Sequence, residues 1–218
     1  MRDILIKLEN EIKPLFKEDT TGHDLHHLKR VMNVALTIQE KEGGDKLVIT
    51  ISALLHDLHR IMQSKSGSFY TPKESLPLIS EILNKVDITD FQKRRILHCI
   101  EYHEEYSFSE NGKTVNDIET LILQDADNLD AIGAIGVART FLFGGYYKVK
   151  MWTPEYPFDR KIYDEDKKDP SVIHHFHSKL IKLKDNINTK TARKMANKRH
   201  DFMMLYLNEF FDEWKGTK

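Results

Sequence analysis

The chain has 218 residues, 40% of them hydrophobic and 31% charged, which supports a sizeable buried core and excludes the apolar poverty of a disordered chain. Its 33 Lys and Arg nearly balance 34 Asp and Glu, so no global field draws it to nucleic acid or to an anionic membrane, and any phosphate recognition is local. The lone cysteine, Cys99, excludes an intramolecular disulfide and a cysteine-rich zinc site and fits a reducing compartment, the cytoplasm. Against this plain background stand 11 histidines, many of them bunched, and clustered imidazoles point to metal or phosphate chemistry.

Residues 3–18 place Ile4, Leu5, Leu8, Ile12, Leu15 and Phe16 at helical spacing. Their charges leave no continuous apolar run, so the stretch reads neither as a signal peptide nor as a membrane span. A second helix is expected over 24–41, with Leu28, Val31, Met32, Ala35 and Ile38 on one stripe, ending at Gly43-Gly44. The apolar segment LVITISALLHDL, 47–58, is too long and too little alternating for a strand and predicts a buried central helix. Residues 61–72 read as a loop, Glu74 to Val86 and Asp90 to His103 as helices, and 107–114 as a polar turn. Val115 to Phe143 follows as a long helical run whose Gly133 and Gly136 suit close packing. Gly144 to Pro170 reads as a long loop or lid, of a length uncommon without function. Two last helices are expected over about 171–185 and 190–214, and the whole as one all-α domain.

Four polar residues stand where the apolar pattern demands core: His27, His56, Asp57 and Asp127. An unpaired buried carboxylate costs several kcal/mol, so this set calls for a cation. Two imidazoles with two carboxylates suit a borderline divalent ion such as manganese, iron, cobalt, nickel or zinc, leaving positions for water and substrate oxygen. Adjacent helical residues diverge by about 100°, so His56 and Asp57 would flank an ion lying over a helix end.

The blocks GHDLHHLKRV, ALLHDL and QDADNLDAIGAIGVAR, in this order and spacing, resemble the H-x-x-R-V, His-Asp and closing acidic motifs of the HD-domain superfamily of metal-dependent phosphohydrolases. The stretch VIHHFHSKLIKLKDNINTKTARKMANKRHDF is similar to the C-terminal helices of its small bacterial members, so the resemblance covers roughly residues 20–215. It implies an all-α helical bundle with additional C-terminal helices, an HD core over about 20–145, and metal ligands His27, His56, Asp57 and Asp127. Asp125 lies about 200° from Asp127 around a helix. It is therefore expected to orient a ligand or water from behind, with direct ligation as the alternative.

His23, Arg30, His103 and Arg139 are the candidate catalytic groups, imidazoles and guanidiniums able to offset phosphoryl charge. Arg139 lies about 18 Å beyond Asp127 along a continuous helix and reaches the site only if the chain bends near Gly133 or Gly136. His175 and Lys179 resemble the family's C-terminal motif and are candidates for substrate contact. His98 with His103 is weighed as a second-metal pair, but their spacing favours one ion. His59, His174 and His177 are assigned to surface or lid.

The expected reaction is hydrolysis of a phosphoester or phosphoanhydride of a small molecule through a metal-activated water, with manganese as the first candidate ion. A nucleoside triphosphate is one possible substrate, which would make the chain a nucleotide pyrophosphohydrolase. Tyr146, Tyr147, Trp152 and Tyr156 are available to stack on a base. A generic phosphomonoesterase or phosphodiesterase is the alternative, and a nucleotide-binding helical domain with a structural metal is the non-enzymatic one. No G-x-x-x-x-G-K-[ST] loop is present to support ATP-driven work.

Overall fold

A computed structural model describes residues 1–105, 115–158 and 168–217. The described elements are α-helical, with one 3-10 turn and no strand among them. In chain order they are α1 (Arg2–Ile12), α2 (Leu25–Glu42), α3 (Lys46–Leu55), α4 (Leu58–Ser66), α5 (Pro72–Leu83), α6 (Asp90–Tyr102), α7 (Ile118–Asp130), α8 (Gly133–Tyr146), α9 (Val172–Ser178), a 3-10 helix (Leu180–Asn186) and α10 (Lys190–Trp214).

The central layer is α2 between α3 and α7. Every residue of α3 from Val48 to Leu55 is buried, which explains a sequence apolar on all sides. It packs on α2 and α7 and on α6, while α10 crosses α8, α7 and α2. Side-chain caps fix the helix starts around the centre. Asp24 accepts from the His27 N–H at 2.8 Å and Asp117 from the Thr120 N–H at 2.9 Å, each satisfying an amide that has no partner within its helix.

Four departures from the sequence reading matter. The first helix stops at Ile12 rather than running to residue 18. The segment from 61, expected as loop, continues α4 through Ser66, whose buried side is only Leu58, His59 and Ile61. The expected run from 115 to 143 is two helices, separated at Ala131-Ile132 by Gly133 at φ +79°, and it is this break that turns the chain back. Of the expected lid, 144–146 belong to α8 and 159–167 lie outside the described residues, as does the whole of the turn expected at 107–114.

Candidate metal centre

The His56-Asp57 pair occupies the break between α3 and α4, with Asp57 at φ −93° and ψ 15°, a sparsely allowed region where site residues recur. Because the helix is interrupted there, the divergence of neighbouring helical side chains no longer applies, and both point to one spot. His27 comes to it from the first turn of α2 and Asp127 from α7. His27 Nε2 lies 3.0 Å from Asp57 Oδ2 and 3.5 Å from Asp127 Oδ1, and His56 Nε2 lies 3.6 Å from Asp57 Oδ1 and 3.7 Å from Asp127 Oδ1.

The proton positions on the imidazoles follow from their far sides. His27 Nδ1 donates to Asp130 at 2.8 Å, His56 Nδ1 to the Ala53 carbonyl at 2.9 Å and His103 Nδ1 to the Ile100 carbonyl at 2.7 Å. Each ring in its neutral form thereby turns a bare Nε2 inward, and all three buried Nε2 atoms lack a hydrogen-bond partner, as does Asp57 Oδ2. Orphaned polar atoms of this kind are rare in a folded interior. With the two carboxylates they make a donor set that fits a divalent cation, and ligand atoms of His27, His56 and Asp57, and of His56, His103 and Asp127, fall within 4.8 Å of one another. Burial alone would lower the His56 pKa, but Asp57 and Asp127 raise it to about 9. Burial takes His103 down to about 4.

Asp130 was not singled out from the sequence, and it is the hub behind His27. Besides the imidazole it accepts Arg30 Nε at 2.8 Å, Arg30 Nη2 at 3.0 Å and Arg139 Nη1 at 2.8 Å. Burial opposes its ionisation, but His27 and Arg30 hold it well below the usual carboxylate range. Arg139 does bend back to the site as required, and its Nε also ties down the Gly22 carbonyl at 2.9 Å. Both arginines expected on phosphate are thus drawn to Asp130. The orienting role expected of Asp125 belongs to Asp130 instead. Asp125 accepts the backbone N–H groups of Asn188 and Thr189, both at 2.7 Å, and fastens the start of α10.

On the open side, Thr21 gives its hydroxyl proton to Asp19 at 2.9 Å, so His23 Nδ1, 3.0 Å from the same oxygen, must be the donor in that contact. His23 therefore offers Nε2 as an acceptor, and burial lowers its pKa further. His59, expected at the surface, is fully buried; its ring lies 5.7 Å from that of His103, and its Nε2 is 3.3 Å from Glu104. Arg60 pairs with that same Glu104, and its charge acts on His23. Glu104 carried no signal beyond its place beside His103, and Arg60, beside a histidine assigned to the surface, carried none. His98 pairs with Asp117 at 3.0 Å, so it does not join His103 as a second-metal pair, as their spacing had argued. His175 bonds Asp169 at 2.9 Å and Lys179 caps α9, in a group distinct from the cluster. His174, also expected outside, is buried against Trp152.

The family model for the HD domain matches residues 24–132, the span that contains all four candidate ligands. The chain is 32% identical over 211 residues to YpgQ of Bacillus subtilis, covering 94% of this chain and 91% of that protein. The chain belongs to the HD domain family. Among solved structures, a Lactobacillus plantarum protein superposes with a TM-score of 0.84 at 27% identity over 99% of both chains. An HD-superfamily hydrolase of Bacillus thuringiensis gives 0.70 at 32% over 98% of this chain and 97% of that one. YpgQ in complex with ADP gives 0.70 at 29% over 97% and 95%. With its metal-competent His/Asp cluster, this HD chain groups with hydrolases.

Proposed function

We propose that this HD protein is a metal-dependent phosphohydrolase acting on a small phosphorylated molecule, with a nucleoside triphosphate, cleaved to monophosphate and pyrophosphate, as the leading substrate class. The observation that carries the reading is the convergence of buried imidazole nitrogens without hydrogen-bond partners on two carboxylates, with His23 edge-on to His27 and the charge of Arg60 acting on His23. His27, His56, Asp57 and Asp127 hold the ion. A divalent ion there supplies Lewis-acid polarisation of a phosphoryl oxygen and acidification of a water. Asp130 fixes the His27 ring, and Arg30 and Arg139 keep Asp130 charged and in place. His103 and His23, both neutral near pH 7, provide hydrogen-bonding nitrogens beside the reacting phosphoryl group, and Arg60 balances its charge. Nucleotides lead because YpgQ is seen with ADP. Manganese remains the first ion to test, and the single buried cysteine fits a cytoplasmic setting.

The test is to incubate manganese-loaded protein with deoxynucleoside triphosphates and identify the products by phosphorus NMR. Pyrophosphate with monophosphate is expected, and Asp57→Ala should abolish both turnover and metal content. Orthophosphate alone, or turnover only of generic esters, would make the protein a phosphomonoesterase or phosphodiesterase. A metal-loaded protein inert toward the whole panel would leave a binding domain with a structural ion.

A further inference from the structure

The mouth of the metal cluster continues into a row of aromatic rings. His23 lies edge-on to His27 at 5.7 Å and edge-on to Phe143 at 5.7 Å, Phe143 tilts against Tyr147 at 4.6 Å, and Tyr147 meets Tyr146 at 4.9 Å. Phe143, Tyr147 and Tyr146 are 37%, 40% and 48% exposed, whereas Phe141 of the same helix turns inward to Phe176 and Tyr206. The outer face of α8 thus presents contiguous rings to solvent only where the helix end approaches the site.

That end is built to hold its rings still. Gly144 sits so close to α9 that a Cβ there would lie 2.3 Å from Val172 Cγ2. Lys148 closes the turn at φ 56°, the one positive value at a non-glycine residue among those described, although a glycine would adopt it more cheaply. Strain kept beside a site signals a geometry worth keeping. Gln63 of α4 and, one turn earlier, Arg60 both bear on the Tyr147 hydroxyl, and Arg60 acts on His23 as well. Trp152, also considered for stacking, is already occupied: it stacks on Phe158 at 5.1 Å and on His174 at 4.9 Å and meets Phe211 at 5.5 Å.

We infer that Phe143 and Tyr147 form the stacking platform for the base of a nucleotide whose phosphates lie on the metal cluster, which makes these two residues determinants of specificity for nucleoside phosphates over phosphates without a planar ring. The inference rests on the reading of the cluster as a phosphate-handling metal site. It adds where the non-reacting half of the substrate goes. Stacking tolerates any base, since each has a π-face, so selection between purines and pyrimidines is weak.

The test is calorimetric titration of manganese-loaded protein with ADP and, separately, with inorganic pyrophosphate, which has the phosphates without the nucleoside. Tyr147→Leu and Phe143→Leu should each weaken ADP about fivefold or more, the lower end of what one base-aromatic stack contributes. Pyrophosphate binding should not change, and Tyr147→Phe should retain ADP affinity. Pyrophosphate binding as tightly as ADP to the unaltered protein, equal losses for both ligands, or no loss in either leucine variant would overturn the platform. If ADP binding shows the predicted pattern but no nucleotide is hydrolysed, the platform stands and the hydrolase reading falls. If neither ligand binds, both fall.

Discussion

At the scale of single residues, the proton inventory of the centre leads to a measurable quantity. His56 is held protonated up to about pH 9 in the metal-free protein by Asp57 and Asp127. An ion can take its Nε2 only after that proton leaves. Metal binding at pH 7 should therefore release close to one proton through this residue, and apparent affinity should rise with pH until about 9. Titrations in two buffers of different ionisation enthalpy give the number. Release of no protons at pH 7 would mean that His56 is already neutral, or is not a ligand.

The two acids flanking Asp127 give a second contrast. Asp130→Asn should lower metal affinity about 10- to 100-fold, the usual loss when a group orienting a ligand imidazole is removed. Asp125→Asn should leave metal binding nearly unchanged and destabilise the fold by about 1–3 kcal/mol, since buried backbone donors of Asn188 and Thr189 lose their ionised acceptor. Metal titration beside denaturant melts separates the two effects. The convergence of His27, His56, Asp57 and Asp127 was legible because each is a polar residue set into an apolar stripe. The choice between Asp125 and Asp130 was not. Each carboxylate has its meaning from the helix that happens to face it, α2 for one and the start of α10 for the other, and periodicity along α7 carries no record of either.

At the scale of elements, the break between α7 and α8 decides whether Arg139 reaches Asp130. Gly136 is the tight point, because a Cβ there would lie 2.3 Å from the Ala131 carbonyl oxygen, which is backbone and cannot swing aside. Gly136→Ala should destabilise the protein by about 1–3 kcal/mol, seen as a lowered denaturant midpoint, and should also weaken metal binding by displacing Arg139. Normal stability with normal metal affinity would show that the junction relaxes freely. The two glycines were visible as close-packing residues, but a two-residue break in an otherwise helical pattern leaves the period almost intact. The reverse error at α4 has a related cause: with Leu58 and Ile61 as its only buried aliphatics, a helix on the rim shows too short a stripe to be told from a polar loop.

At the scale of the whole molecule, the proposed ligands from α2, the α3–α4 junction and α7 would make a bound ion a clasp across the central layer. An ion that binds only the folded state should stabilise it by roughly 3 kcal/mol at a hundred times its dissociation constant. Thermal melts with and without manganese should differ by several degrees, and a chelator should abolish the difference. Asp57→Ala should melt at the same temperature in both.

The clasp also sets an order of events during synthesis. His27 and Asp127 are a hundred positions apart in the chain, and the ribosome adds about 5–20 residues each second. For several seconds a nascent chain therefore carries His27, His56 and Asp57 with no fourth ligand, and for a little longer it lacks the Arg139 that steadies them. Three ligands without the last would discriminate among divalent ions only by the ordinary Irving–Williams order of affinity. If these residues hold the ion, a geometry imposed by helix packing would become available only once the layer has closed.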